Sequence, residues 1–120
     1  VMGTMPVDMA YAITKAMIVT YDLYKDGAPG ASGLGIKLQT TQWSIPVHPG
    51  AVRAFQEAGI WKPEDEAHNQ GLIKRQGILR ATWDAFLKTN PPTEAEPFRA
   101  AWLAARKAAL EKAGLSTAPN

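Results

Sequence analysis

The sequence predicts a mainly α-helical chain, four helices with one or two short strands. Three observations carry this reading. Apolar residues recur at three- and four-residue steps over most of the chain, proline and glycine fall where helices start and stop, and only one brief run, Ile45 to Val47, reads as extended.

The first helix is expected from about Pro6 to Asp26-Gly27, with Thr4 as a cap and Asp8 against the positive end of the helix dipole. Ala10, Ile13, Met17, Tyr21 and Tyr24 lie on one side at helical steps, so that face is expected to be buried. Residues 27–35 hold four of the ten glycines and predict a flexible surface loop. A phosphate-cradling loop requires a preceding strand and a Gly-Lys-Ser/Thr helix start, whereas here Lys37 is followed by Leu38. From Gly35 to Trp43 the chain is expected to be irregular, with a single helical turn at most. Ile45 to Val47 is held extended by Pro46, and His48 before Pro49 avoids the helical region. Pro49 suits a first helical position, Ala51, Val52, Phe55 and Ala58 repeat at helical spacing, and Gly59 supplies a left-handed stop.

Trp61 and Pro63 form a corner into the longest helix, with Glu64, Asp65 and Glu66 in its first turn. Leu72, Gln76, Leu79, Trp83, Phe86 and Leu87 trace its stripe, and Asn90-Pro91-Pro92 ends it. Residues 63 to 88 would extend about 39 Å at the helical rise, longer than a compact single core of this size requires. The last helix is expected to open on a Thr93–Glu96 capping box, to turn Phe98, Ala101, Trp102, Ala105 and Ala109 inward, and to stop at Gly114. Two such helices predict an antiparallel hairpin, followed by a frayed tail from Leu115 to Asn120.

Composition narrows the function classes. Hydrophobic residues make up 46% and charged residues 20%, which favours a folded chain over disorder. The formal net charge is only +2 and acids are interspersed with the cations, so no nucleic-acid partner is expected. With no cysteine there are no disulfides and no thiolate metal sites. No apolar run approaches bilayer length and Val1 opens no leader-like region; no direct membrane insertion is expected, any signal peptide belonging to a longer parent.

Few residues are suited to chemistry. His48 is a candidate general base or ligand donor, or else a brace whose ring nitrogen caps the Pro49-Gly50 turn. Trp43, less periodic than the other tryptophans, is a candidate for stacking on a bound solute near that corner, and Tyr11 for directing its hydroxyl to a ligand. Trp61, Trp83 and Trp102 read as packing residues. His68, four residues after Glu64, reads as a solvated helix-surface group. His48 and His68 lie twenty apart with no third ligand at metal spacing, so neither metal nor cofactor is expected. Lys74-Arg75 reads equally as a solvated face or an interaction patch.

The segment Ile45-Pro46-Val47-His48-Pro49-Gly50-Ala51, continuing to Glu57 and Gly59, resembles the PxHPGAxxxxxExG pattern near the C-terminus of the TAXI family, solute receptors of tripartite ATP-independent periplasmic (TRAP) transporters. Pro46, His48, Pro49, Gly50 and Ala51 form its structural motif. Asp8 to Ala16 looks like that family's "vaYaitkAl" helix, and Gly59 to Gln76 is similar to its "G-W-P-E-x-E-x-x-N-x-x-L-I-x-R-Q" extension. Order and spacing agree over roughly residues 6 to 90. Such receptors are about two domains long by the usual domain-size prior, so this 120-residue chain looks like a C-terminal part.

The resemblance implies the C-terminal part of a two-lobed α/β periplasmic-binding-protein (type II) fold. Residues 1–60 would be a piece of a solute-binding lobe including the HPGA corner, 61–115 a long helical hairpin and 116–120 a disordered tail. It implies a periplasmic, non-enzymatic role: capture of a small organic anion such as a carboxylate or amino acid, and delivery to TRAP membrane permease subunits. Most carboxylate-binding groups would lie outside these residues. The alternative classes are a stand-alone helical protein-interaction module, and an enzyme fragment drawing on His48, Asp8, Glu57 and Asp65.

Overall fold

The computed structural model describes residues 4–118. Five α-helices follow one another among them: α1 Val7–Val19, α2 Tyr21–Tyr24, α3 Pro49–Glu57, α4 Pro63–Leu87 and α5 Ala95–Lys112. Two 3-10 turns, Ala31–Leu34 and Ile36–Leu38, lie between α2 and α3. The mainly α reading holds, and the described residues include no strand. Ile45 to Val47 is not helical, yet no second segment pairs with it, and without a ladder partner extended backbone is not a strand. The chain divides into two compact units, Val1–Gln70 and Gly71–Asn120, so the first two turns of α4 belong with the first unit.

The first unit is organised by the packing of α1 on α3. Ala10 is completely buried, and Gly50, Ala51 and Ala54 form the buried face of α3. Small residues bring the two backbones together, most closely at Gly50, where an added Cβ would lie 2.2 Å from the Val7 carbonyl oxygen. The expected buried stripe on α1 needs correction: Ile13 and Met17 are exposed, and Thr14 and Ile18 are half-buried instead. Thr4 does not cap this helix, whose N-cap position is Pro6. The helix also stops early, at Thr20, whose hydroxyl donates to the Ala16 carbonyl (2.7 Å) before α2 resumes. The glycine-rich loop contains the first 3-10 turn, the second follows it, and the Tyr21 hydroxyl donates to the Ser32 carbonyl at 2.6 Å.

Two helix stops match their glycines. Gly59 (φ +72°) places its N–H on the Gln56 carbonyl while Ile60 N–H reaches Phe55, and Gly114 (φ +68°) repeats the pattern with Glu111 and Leu110. Both are Schellman motifs, which require a left-handed residue just past the helix. At the α3 C-terminus, Phe55 stacks on Trp61 with centroids 6.2 Å apart, and the Trp61 indole donates to Glu66 at 2.9 Å.

The second unit is a hairpin of the remainder of α4 with α5. Phe86, Trp83, Phe98 and Trp102 form one aromatic cluster, with Trp83 edge-on to Trp102 at 4.8 Å and Phe86 edge-on to Phe98 at 5.3 Å. Arg75 near one end meets the carbonyls of Ser116 and Ala118, while Phe86 meets Phe98, so the helices run antiparallel. Arg106 also donates to Thr117 (3.0 Å), which ties down residues 116–118 where fraying was expected; Pro119 and Asn120 lie outside the described residues. Gln76 and Leu87 face solvent, and the stripe runs instead through Leu72, Ile78, Leu79, Trp83 and Phe86. Leu110, absent from the expected inward face of α5, is completely buried.

The Thr93–Glu96 capping box does not form, for a reason visible in Pro97. A helix capped at Thr93 would need the residue-97 N–H as its first donor, and proline has none. The first bond is therefore Phe98 N–H to the Glu94 carbonyl (3.0 Å), and Glu94 takes the N-cap position. Within α4, Gly77 has open space where a Cβ would stand. Gly77→Ala is expected to stabilise the second unit by about 0.8–1 kcal/mol, the helix-propensity difference, measured as a rise in the urea midpoint at unchanged slope.

Candidate functional site

An apolar hollow of about 330 Å³ lies within the first unit. One wall comes from Thr14, Met17 and Ile18 of α1, another from Ala51 and Phe55 of α3, and the remainder from Leu34, Ile36, Gln39, Trp43 and residues 45–48. Its volume lies at the lower end of the range for small-molecule sites. No lysine or arginine lines it.

The polar groups at its edge are already engaged. His48 Nδ1 accepts from the Gly50 N–H and its Nε2–H donates to the Met5 carbonyl, both at 3.1 Å. The ring is thus the N-cap of α3, the bracing role weighed for it from sequence, and the two bonds define its tautomer. The Trp43 indole N–H donates to the Thr40 carbonyl, the Gln39 amide to Gly33 (2.8 Å), and the Thr14 hydroxyl to Ala10 (2.8 Å). The surface that remains open toward the hollow is mostly hydrocarbon, with Trp43, 44% exposed, beside it.

Of the three candidate ligand residues, the structure brings Trp43 and His48 to one hollow and places Tyr11 elsewhere. The Tyr11 hydroxyl donates to Glu57 (2.8 Å) and accepts from Lys15 (2.7 Å), and the Arg53 guanidinium lies 4.0 Å from its ring centroid. Arg53 also faces Asp8 at 3.7 Å and Glu57 at 3.6 Å. This exposed cluster joins α1 to α3. Bonds from Tyr11, then Glu57, raise the Lys15 pKa above its ordinary value, and bonds from Lys15, then Tyr11, lower that of Glu57. A fully partnered set of this kind clamps two helices and leaves the Tyr11 hydroxyl committed.

A second network fastens the segment 41–47 to α4. The Thr41 hydroxyl donates to Asp65 (2.7 Å), His68 Nε2 to the Trp43 carbonyl (2.7 Å), and the Val47 N–H to the Asn69 side-chain oxygen (2.8 Å). Asp65 also accepts the Lys62 N–H at 2.9 Å, the return half of a capping box at a helix that starts on Pro63. Asp65 and Asn69 are 3% and 4% exposed, the two buried polar residues of the described chain. His68 is accordingly half-buried and bonded, not the solvated group its acidic neighbourhood suggested. Asn69 drew no attention in the sequence; its one signal is the spacing Asp65, His68, Asn69, which puts all three on one helix face.

The Thr41 hydroxyl, then the Lys62 N–H, hold the Asp65 carboxyl below the usual carboxylate range. A depressed folded-state pKa contributes stability that is complete above the unfolded value, about 3.9 for aspartate, and is lost as pH falls through the folded value. Stability is therefore expected to hold from pH 7 to about 5 and to decline below about 4. Glu57, lowered for its own reasons, declines in the same window. The Asp65→Asn variant should show a shallower acid decline in urea-unfolding free energy than the parent.

No set of three or more His, Cys, Asp or Glu side chains is placed to hold a metal ion among the described residues, and no helix there is long and apolar enough to cross a membrane. No family model, curated protein or solved structure matches the chain.

Proposed function

We propose that the chain is the C-terminal part of a two-lobed periplasmic solute receptor of the TAXI type. In this reading it serves a TRAP secondary transporter that takes up a small organic anion such as a carboxylate or amino acid. Beyond the motif order, one observation carries the reading: α1 is apolar on two sides and only one is covered. Ala10 is buried on α3, and the charged Asp8 and Lys15 pair with Arg53 and Glu57 of α3. The remaining surface of α1 presents Met9, Ala12, Ile13 and Ala16 to solvent with no charge among them. Val19 and, on α2, Leu23 are exposed as well. An uncovered apolar side of this kind is suited to docking against another part of a larger body.

The chain's role is then architectural. The HPGA corner holds α1 and α3 at close range, and the charged clamp fixes their register. The hollow is apolar and without a cation, so a solute carboxylate is met by groups outside these residues, and no catalytic role is assigned. The test is to join the chain to the polypeptide encoded upstream of Val1 and measure thermal shifts against organic acids and amino acids. A ligand at a hundred times its Kd is expected to add about 2.7 kcal/mol. No stabilisation by any solute, with the 120-residue chain alone giving a cooperative monodisperse fold, favours a stand-alone helical interaction module.

A further inference from the structure

We propose that Asp65, His68 and Asn69 of α4 are positioning residues for the apolar hollow: together they fasten the strap 41–47, so the placement of Trp43 is set from α4. The strap has no strand partner among the described residues, and its course depends on bonds from elsewhere. Its three anchors fall at Thr41, the Trp43 carbonyl and the Val47 N–H, all within 2.7–2.8 Å of α4 side chains.

The two segments do not match in length, and that mismatch shapes the hollow. Six extended steps from 41 to 47 would span about 20 Å, whereas residues 65 to 69 rise only about 6 Å along a helix. The slack is taken up between the second and third anchors, where the chain bends at Ser44 and Ile45. Those bends, with Pro46 after them, carry Ile45, Pro46 and Val47 to the wall of the hollow. Two of the anchors engage strap main chain, leaving the side chains of Trp43 and Val47 to line the hollow. Losing an anchor on α4 leaves the Thr41 hydroxyl, the Trp43 carbonyl or the Val47 N–H unpaired, and the strap relaxes to repair it.

The experiment uses the 120-residue chain labelled with 5-fluorotryptophan and read by fluorine NMR, with Trp43→Phe assigning its resonance. No ligand is added, so the result does not depend on the receptor reading. In His68→Ala and in Asn69→Leu the Trp43 signal is expected to shift or broaden, more so in the double variant, while the Trp83 and Trp102 signals stay in place. His68→Gln, whose amide donates to the same carbonyl, is expected to return the signal toward its original position. If Asn69→Leu melts the first unit, Trp61 moves together with Trp43 and the His68 pair alone decides. A Trp43 signal unmoved by His68→Ala, or moved and not recovered by His68→Gln, overturns the proposal.

Discussion

Gly50→Ala is expected to destabilise the first unit by about 3 kcal/mol, at or beyond the upper end of ordinary overpacking. The added methyl would stand 2.2 Å from the Val7 carbonyl oxygen, 2.6 Å from the Tyr11 nitrogen and 2.9 Å from the Ala10 Cβ. Two of these are backbone atoms of α1, so no side chain can turn aside; the helices themselves must separate. Separation uncovers Ala10, Ala51 and Ala54 and lengthens the Tyr11–Glu57 and Lys15–Glu57 bonds that now measure 2.8 and 3.0 Å. Alanine's better helix propensity offsets only about 0.8–1 kcal/mol of this. The urea midpoint and the far-ultraviolet signal of α1 read the outcome, with Gly77→Ala as the control in which the same methyl meets open space. A Gly50→Ala chain as stable as its parent would mean that α1 and α3 do not approach at this point.

Phe86→Ala is expected to cost the second unit about 3–5 kcal/mol, the usual range for deleting a buried phenylalanine. Phe86 is buried and touches three other rings, Trp83 at 6.0 Å, Phe98 at 5.3 Å and Trp102 at 5.5 Å. Removing it takes away transfer energy and leaves a cavity between rings too rigid to collapse into it. Phe86→Leu should recover much of the loss, because it refills most of the volume without the edge-to-face contacts. Tryptophan fluorescence follows both variants through Trp83 and Trp102. A loss below about 1 kcal/mol for Phe86→Ala would place the hairpin's stability outside this cluster.

The local grammar of the fold was legible where one residue type answers one backbone need. Pro49, Gly59 and Gly114 each stand where a missing donor or a left-handed residue is required, and the helices begin or end there. The inward face of α5 was legible too, since Phe98 and Trp102 are large and four apart. Periodicity shows that a helix has an apolar side without showing which side meets a neighbour, and α1, with two such sides, exposed that limit at Ile13 and Met17. The capping box failed on information already in the sequence, because Pro97 has no N–H to give Thr93.

The site was harder to read because its bonds are long-range. His48 was found through its turn, two residues from its Gly50 partner, but Thr41 and Asp65 are 24 apart, Trp43 and His68 25 apart, and Val47 and Asn69 22 apart. Nothing local relates those pairs until the strap lies on α4. Tyr11 illustrates the converse: its ring and hydroxyl suit a ligand in the abstract, and Lys15, Arg53 and Glu57 have already taken them.

Hydrogen exchange on α1 tests most directly whether this helix was built to be covered on both sides. In the 120-residue chain, the amides from Ala10 to Met17 should exchange roughly a hundredfold faster than those at the middle of α5, because α1 is held through small residues on α3 whereas α5 is held through an aromatic cluster. Joined to the polypeptide encoded upstream, the same amides should slow to match α5. Amides on α1 that are already as protected as those of α5 in the isolated chain, and unchanged by the longer polypeptide, would contradict the receptor account at its base.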